Sequence, residues 1–188
     1  MISKIKPVIV LSLIMTIVSA LLIVTYNLTY VDTSGILTDE LKEKCVFLMG
    51  DGEYEIVADW KSEGYNIEKP ENIEKLIKKS DGTLAFQIVA DGYNKDGLDL
   101  LVAMNNDGSV SGVAVVSISE TPGLGTKVDN SEFLNRFSGA ADEITIVKKA
   151  PSKENEIQAV TGATYSSNGI ADAVNSAISV YREMGVTE

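Results

Sequence analysis

The 188-residue chain contains no histidine and a single cysteine, Cys45. Without imidazole there is no Ser-His or Cys-His nucleophile pair, no histidine general base, no His-ligated haem or zinc and no histidine pH switch. One thiol excludes a disulfide within the chain, a CxxC redox pair and a four-thiolate iron–sulfur or zinc site. Any redox chemistry therefore requires a bound organic cofactor or a partner chain. Basic residues are also scarce, with 16 Lys+Arg against 27 Asp+Glu, a net charge of −11 and a pI of about 4.5. No basic stripe is present to neutralise phosphates, so nucleic acid is a poor partner. The hydrophobic fraction of 45% is that of a folded chain, and the length suits one compact domain.

The apolar residues are unevenly placed. Val8 to Val24 reads VIVLSLIMTIVSALLIV, without a charge and with only Ser12, Thr16 and Ser19 as polar interruptions. Pro7 to Tyr26 makes 20 residues, roughly 30 Å of helix and the thickness of a bilayer core. Lys4 and Lys6 precede the run, and Tyr26 and Tyr30 come after it. The positive-inside bias places the N-terminus in the cytoplasm and the remainder of the chain outside, with the tyrosines at the far interface. The rival reading is a cleaved signal peptide, since Val18-Ser19-Ala20 offers small residues, but Leu21 to Val24 prolong the run past that point. The expected organisation is a membrane anchor over residues 1–30 and an extracytoplasmic domain over 31–188. Of the 16 basic residues Lys4 and Lys6 belong to the anchor, which leaves 14 against 27 acidic residues and a domain charge of −13. Such a domain is repelled by anionic lipid. Cys45, in the context LKEKC, lies too far from the apolar run for a lipid anchor and reads as a small hydrophobe on a helix face.

Within the domain, Thr38 reads as an N-cap for a short helix carrying Leu41, Cys45 and Leu48. A second helix is expected after Pro70, with Ile73, Leu76 and Ile77 on one side. From Thr83 to Glu120 the period changes to alternation, in segments separated by Asp91-Gly92, Asp96-Gly97 and Asp107-Gly108. That pattern predicts an antiparallel meander joined by tight turns. The Asp-Gly pairs lack the alternating oxygen ligands and distal Glu of a calcium loop. Asn27-Leu28-Thr29 matches a glycosylation acceptor, but the match is common by chance and sits against the membrane. A last helix is marked by Ile170, Val174, Ala177, Ile178 and Tyr181. The fold class is α+β.

Two stretches carry the functional signal. Glu120-Thr121-Pro122-Gly123-Leu124-Gly125-Thr126 comes after a strand; Pro122 fixes one angle, while Gly123 and Gly125 permit positive φ and a close ligand. An ordinary strand-to-helix turn would also explain it. Thr161-Gly162-Ala163-Thr164-Tyr165-Ser166-Ser167 lies between a short strand near Ile157 and the last helix. Hydroxyls there meet the positive end of a helix, a place suited to phosphate, although a Ser/Thr-rich helix cap needs no ligand.

ETPGLG and then TGATYSS, after one N-terminal membrane span, resembles the G subunit of Rnf-type ferredoxin:NAD oxidoreductase complexes. It is similar more distantly to the C subunit of sodium-pumping NADH:quinone reductase and to covalent FMN-binding domains generally. The resemblance implies FMN esterified through its phosphate to Thr164 by a dedicated flavin transferase, and a relay of single electrons between membrane partners of an ion-translocating complex. It implies that Thr161, Gly162, Ala163, Tyr165, Ser166 and Ser167 surround the phosphate, and that Glu120, Thr121, Pro122, Gly123, Leu124 and Gly125 lie against the isoalloxazine. The chain itself has no catalytic acid or base. Gln158 stands where the family often has an acidic residue three places before the motif; the acceptor hydroxyl and helix terminus remain. The alternatives are a membrane-anchored flavoprotein of another extracytoplasmic reductase and a cofactor-free extracellular binding module.

Overall fold

The structure is a computed structural model that describes residues 2–29 and 35–185, with side chains from Lys6 onward. Tyr30, the side chain of Lys4 and the expected boundary at residue 30 lie outside the described residues. Two compact units are formed, residues 1–33 and 34–188.

The first unit is one helix, α1 (Ile2–Thr29), in which the 24 residues Lys6–Thr29 contain an 18-residue window of mean hydropathy 2.8, long and apolar enough to cross a membrane. Two of its threonine hydroxyls are satisfied within the helix, as lipid would require: Thr16 donates to the Ser12 carbonyl at 2.9 Å and Thr25 to that of Leu21 at 2.8 Å.

The second unit is built on an antiparallel sheet in simple meander order, β1 (Tyr54–Val57), β2 (Ile73–Lys79), β3 (Leu84–Ala90), β4 (Leu98–Met104) and β5 (Val110–Ile118). Helix α2 (Asp39–Met49) precedes it and starts as expected, with the Thr38 hydroxyl accepting from the Leu41 N–H at 3.3 Å. Leu41 and Cys45 of α2 bury against Ile77, Ala85, Leu101 and Ala103 on one face of the sheet. Burial also pushes the Cys45 thiol up to about 11, so it stays protonated and inert. The opposite face meets α4 (Thr164–Glu183), whose Ile170, Val174, Ala177, Ile178 and Tyr181 join Ile73, Leu76, Phe86, Leu100 and Val102 in the main core. Each such aliphatic side chain contributes about 1.5–3 kcal/mol when fully buried. A short α3 (Ser131–Leu134), capped by Asn130 and leading into a 3-10 turn, brings Phe133 and Phe137 into that core. Two short parallel strands, β6 (Thr145–Val147) and β7 (Glu156–Gln158), lead to α4.

One expectation is overturned. Residues after Pro70 form β2 and not a helix, and the reason is a bulge. The pairing of β2 with β3 shifts between Ile73 and Lys75, so Ile73 and Leu76, three apart, both reach the α4 face while Ile77 reaches the α2 face. A bulged strand covered on both sides imitates the helical spacing of apolar residues. The meander also has fewer tight turns than expected. Asp91-Gly92 and Asp96-Gly97 occupy one connection, residues 91–97, between β3 and β4.

Candidate functional site

Helix α4 begins at Thr164 with Ala163 as its N-cap, and no side chain caps it. The first-turn N–H groups of a helix have no intrahelical acceptors, so here they and the partial positive charge face outward. Gly162, at φ +81°, turns the chain into the helix, and a Cβ there would meet only Leu124 Cδ2, at 3.9 Å.

The hydroxyls divide into two groups. Ser167 is fully buried; its Oγ donates to the Ala163 carbonyl at 2.8 Å and accepts from the Val160 N–H at 3.1 Å, fastening the turn. Ser166 is buried as well and donates to Glu120 Oε2 at 2.7 Å. These two hydroxyls are engaged with the protein and are not free donors for a ligand. Thr164 is half-buried, its hydroxyl has no partner among the described residues, and its carbonyl accepts from Asn168 Nδ2 at 2.8 Å. Thr161 is exposed.

Glu120 is the other fixed point. It lies just past β5, is 6% exposed, and its carboxylate accepts from the N–H groups of Tyr93 (3.2 Å) and Asn94 (2.9 Å) as well as from Ser166. No lysine or arginine pairs with it among the described residues. Its charge is met by dipolar donors alone. Three glycines make room for it: an added Cβ would lie 2.5 Å from Glu120 Oε1 at Gly92, 2.5 Å at Gly97 and 2.2 Å from Oε2 at Gly125. Gly125 is therefore a packing glycine without positive φ, contrary to the expectation. Gly123 does take φ +74°, with open space around the missing Cβ, and its N–H donates to Thr126 Oγ1 at 2.9 Å.

Between the two motifs lies a cavity of about 360 Å³, at the lower end of the range of small-molecule sites. Glu120, Thr121, Leu124 and Gly125 line it from one loop and Gly162 to Ser166 from the other, with Tyr93 as a third wall. Pro122, Gly123, Thr161 and Ser167 do not line it. Tyr93 and Asn94 were not legible as site residues: the Asp-Gly pairs mark their segment as a connection, and nothing in the pattern shows that it returns to residue 120. A larger cavity, about 530 Å³ and bounded by Lys42, Tyr54 and Lys78, contains none of the motif residues.

A phosphate on a short ester arm with a flat ring system fits this arrangement: a free hydroxyl, an uncapped helix terminus and an adjoining cavity with apolar walls from Leu124 and Tyr165. Residues 92–179 match the FMN-binding domain family. Over 126 residues, 63% of this chain and 60% of the relative, the sequence is 36% identical to the G subunit of the Na(+)-translocating ferredoxin:NAD(+) oxidoreductase complex of Acetobacterium woodii. Over 103 residues, 54% of this chain and 55% of the relative, it is 37% identical to the G subunit of the proton-translocating ferredoxin:NAD(+) oxidoreductase complex of Clostridium ljungdahlii. The chain spans less than two thirds of the length of these curated relatives. The fold is shared with the C subunit of the Na(+)-translocating NADH-quinone reductase from Parabacteroides distasonis, at a TM-score of 0.52 and 18% identity over 81% of this chain and 85% of that one. Residues 92–179 thus match the FMN-binding domain family, and the chain is similar over part of its length to the G subunits of ion-translocating ferredoxin:NAD(+) oxidoreductase complexes.

Proposed function

We propose that this chain is a membrane-anchored electron-transfer subunit of an Rnf-type ion-translocating oxidoreductase, with FMN held covalently as a phosphoester of the Thr164 hydroxyl. The observation that carries the proposal is the state of that hydroxyl: it is unengaged at an uncapped helix N-terminus and lines the cavity, whereas Ser166 and Ser167 are committed to the protein. FMN supplies the capacity to accept and release electrons singly. The residues of the chain position it. First-turn N–H groups of α4 offset the phosphate charge, Gly162 and Ala163 leave the approach uncrowded, and Leu124 and Gly125 offer a wall for the ring. With no histidine and Glu120 as the one carboxylate among the described residues at the cavity, itself occupied by three donors, the chain relays electrons and performs no acid–base step on a substrate.

The electrons pass between other membrane subunits of the complex, while ion translocation and the ferredoxin and NAD sites belong to those chains. A flavin transferase installs the cofactor. Helix α1 anchors the chain with its N-terminus in the cytoplasm and the domain outside, where a tether prevents loss of a scarce cofactor. The test is co-production with a flavin transferase. Wild-type chain should show flavin fluorescence in a denaturing gel, Thr164→Val should show none while remaining folded, and Thr164→Ser should retain partial labelling. Fluorescence that survives in Thr164→Val would place the ester elsewhere.

A further inference from the structure

Outside α1 the described residues expose five large apolar side chains: Ile36, Phe47, Tyr93, Leu124 and Tyr165. Three of them, Tyr93 (71% exposed), Leu124 (50%) and Tyr165 (70%), line the same cavity, although they come from three separate segments. Tyr93 and Tyr165 meet edge to face, with ring centroids 6.0 Å apart and planes at 72°. Neither phenol hydroxyl has a hydrogen-bond partner among the described residues, so neither ring is held in place through its polar end.

The carrier of Tyr93 is rigid. Its own N–H and that of Asn94 are bound to the Glu120 carboxylate, the Ser119 N–H donates to the Gly97 carbonyl at 2.8 Å, and the Asp96 N–H donates to Asp91 Oδ1 at 2.8 Å. Gly92 and Gly97 permit that approach to the carboxylate. A fixed backbone that presents a bare aromatic ring to solvent is a preorganised contact. Aromatic area of this kind gains about 25 cal/mol per Å² when covered, with further gain from edge or offset stacking on another ring.

We infer that Tyr93, Leu124 and Tyr165 form an aromatic bracket for the isoalloxazine ring, with Tyr93 a cofactor-positioning residue outside both sequence motifs. The inference rests on the reading that the cavity takes FMN tethered at Thr164. Tyr165 stands next to the tether and Leu124 across from Gly162, so a ring leaving Thr164 enters between them, and Tyr93 closes the third side. The bracket sets the ring's orientation and limits its contact with water, while Glu120 acts on it indirectly by holding Tyr93.

The test uses the full-length chain, flavinylated by co-production with the transferase and kept native in detergent. A phenol in contact with a flavin quenches its emission by giving an electron to the photoexcited ring and taking it back. Emission per covalently bound flavin, the flavin being counted in a denaturing gel, should be weak in wild type and rise several-fold in Tyr93→Phe/Tyr165→Phe, which keeps the rings and removes the phenols. Tyr93→Phe alone should give an intermediate rise, and Tyr54→Phe on β1 none. Full labelling with unchanged emission in the double variant overturns the bracket and leaves the tether intact. Absence of covalent flavin from the wild type overturns the bracket together with the reading on which it rests.

Discussion

The Ser166 hydroxyl donates to Glu120 Oε2 at 2.7 Å, a buried bond that joins the two motifs across 46 residues of sequence. It holds the start of α4 against the loop after β5, and through the other donors to Glu120 it ties both to the β3–β4 connection. Removing one member leaves its buried partner, donor or acceptor, unsatisfied, which costs about 1–3 kcal/mol. Glu120→Gln and Ser166→Ala should each destabilise the domain, and because they share one bond the double variant should lose less than the two losses added together. Denaturant unfolding of the detergent-solubilised chain measures this. Strict additivity would show that the bond carries no weight.

The two glycines of the ETPGLG loop should respond differently. Gly123→Ala meets no atom but must hold φ +74°, which costs about 1–2 kcal/mol. Gly125→Ala would drive a methyl into Glu120 Oε2 at 2.2 Å and Ser166 Oγ at 2.7 Å. It should therefore displace Glu120 and alter the flavin absorbance and potential as well as stability. Equal effects of the two substitutions would contradict the packing role assigned to Gly125.

Asp99 on β4 has its carboxyl raised to about 6, first by burial, partly offset by the Gln87 amide that donates to it at 2.9 Å. A folded-state value above the ordinary 3.8 means that the native state holds the proton more tightly. The associated stability is present in full below about pH 4 and is lost as pH rises through about 6. Asp99→Asn should remove that loss, stabilising the domain at pH 7 by about 1–2 kcal/mol once solvent screening at this partly exposed site is allowed for. Its amide N–H also faces Gln87, whose Oε1 is buried without a donor. Unfolding measured across roughly pH 4 to 8 should show the variant's advantage growing with pH; a constant difference would deny the titration.

The sidedness of the anchor is tested with protease. Added to intact cells, it should digest the domain while a tag placed before Lys4 stays protected. The opposite pattern would contradict the positive-inside assignment, and release of a soluble domain by cleavage after Ala20 would restore the signal-peptide reading.

Elements that obey one period were legible in the sequence. Thr38 marks the start of α2, the stripe from Ile170 to Tyr181 marks α4, and the alternation of β3 to β5 marks the meander. Strand β2 was not, because its bulge between Ile73 and Lys75 and its burial on both faces replace period two by the spacing of a helix. At the site, both motifs announced themselves through residue types that suit a backbone turn or a helix end. The role of Glu120 did not, since its partners Tyr93, Asn94 and Ser166 come from elsewhere in the chain. The same holds for Gly92 and Gly97, which look like turn residues and in fact make room for a carboxylate.

The most direct measurement is the mass of the tryptic peptide from Glu154 to Arg182, taken from chain co-produced with a flavin transferase and fragmented to locate the modified side chain. The peptide should carry the mass of FMN less one water, placed on Thr164, and Thr164→Val should return it to its unmodified mass. An unmodified wild-type peptide, or the added mass on Thr161, Ser166 or Ser167, would contradict the assignment of Thr164 as the tether.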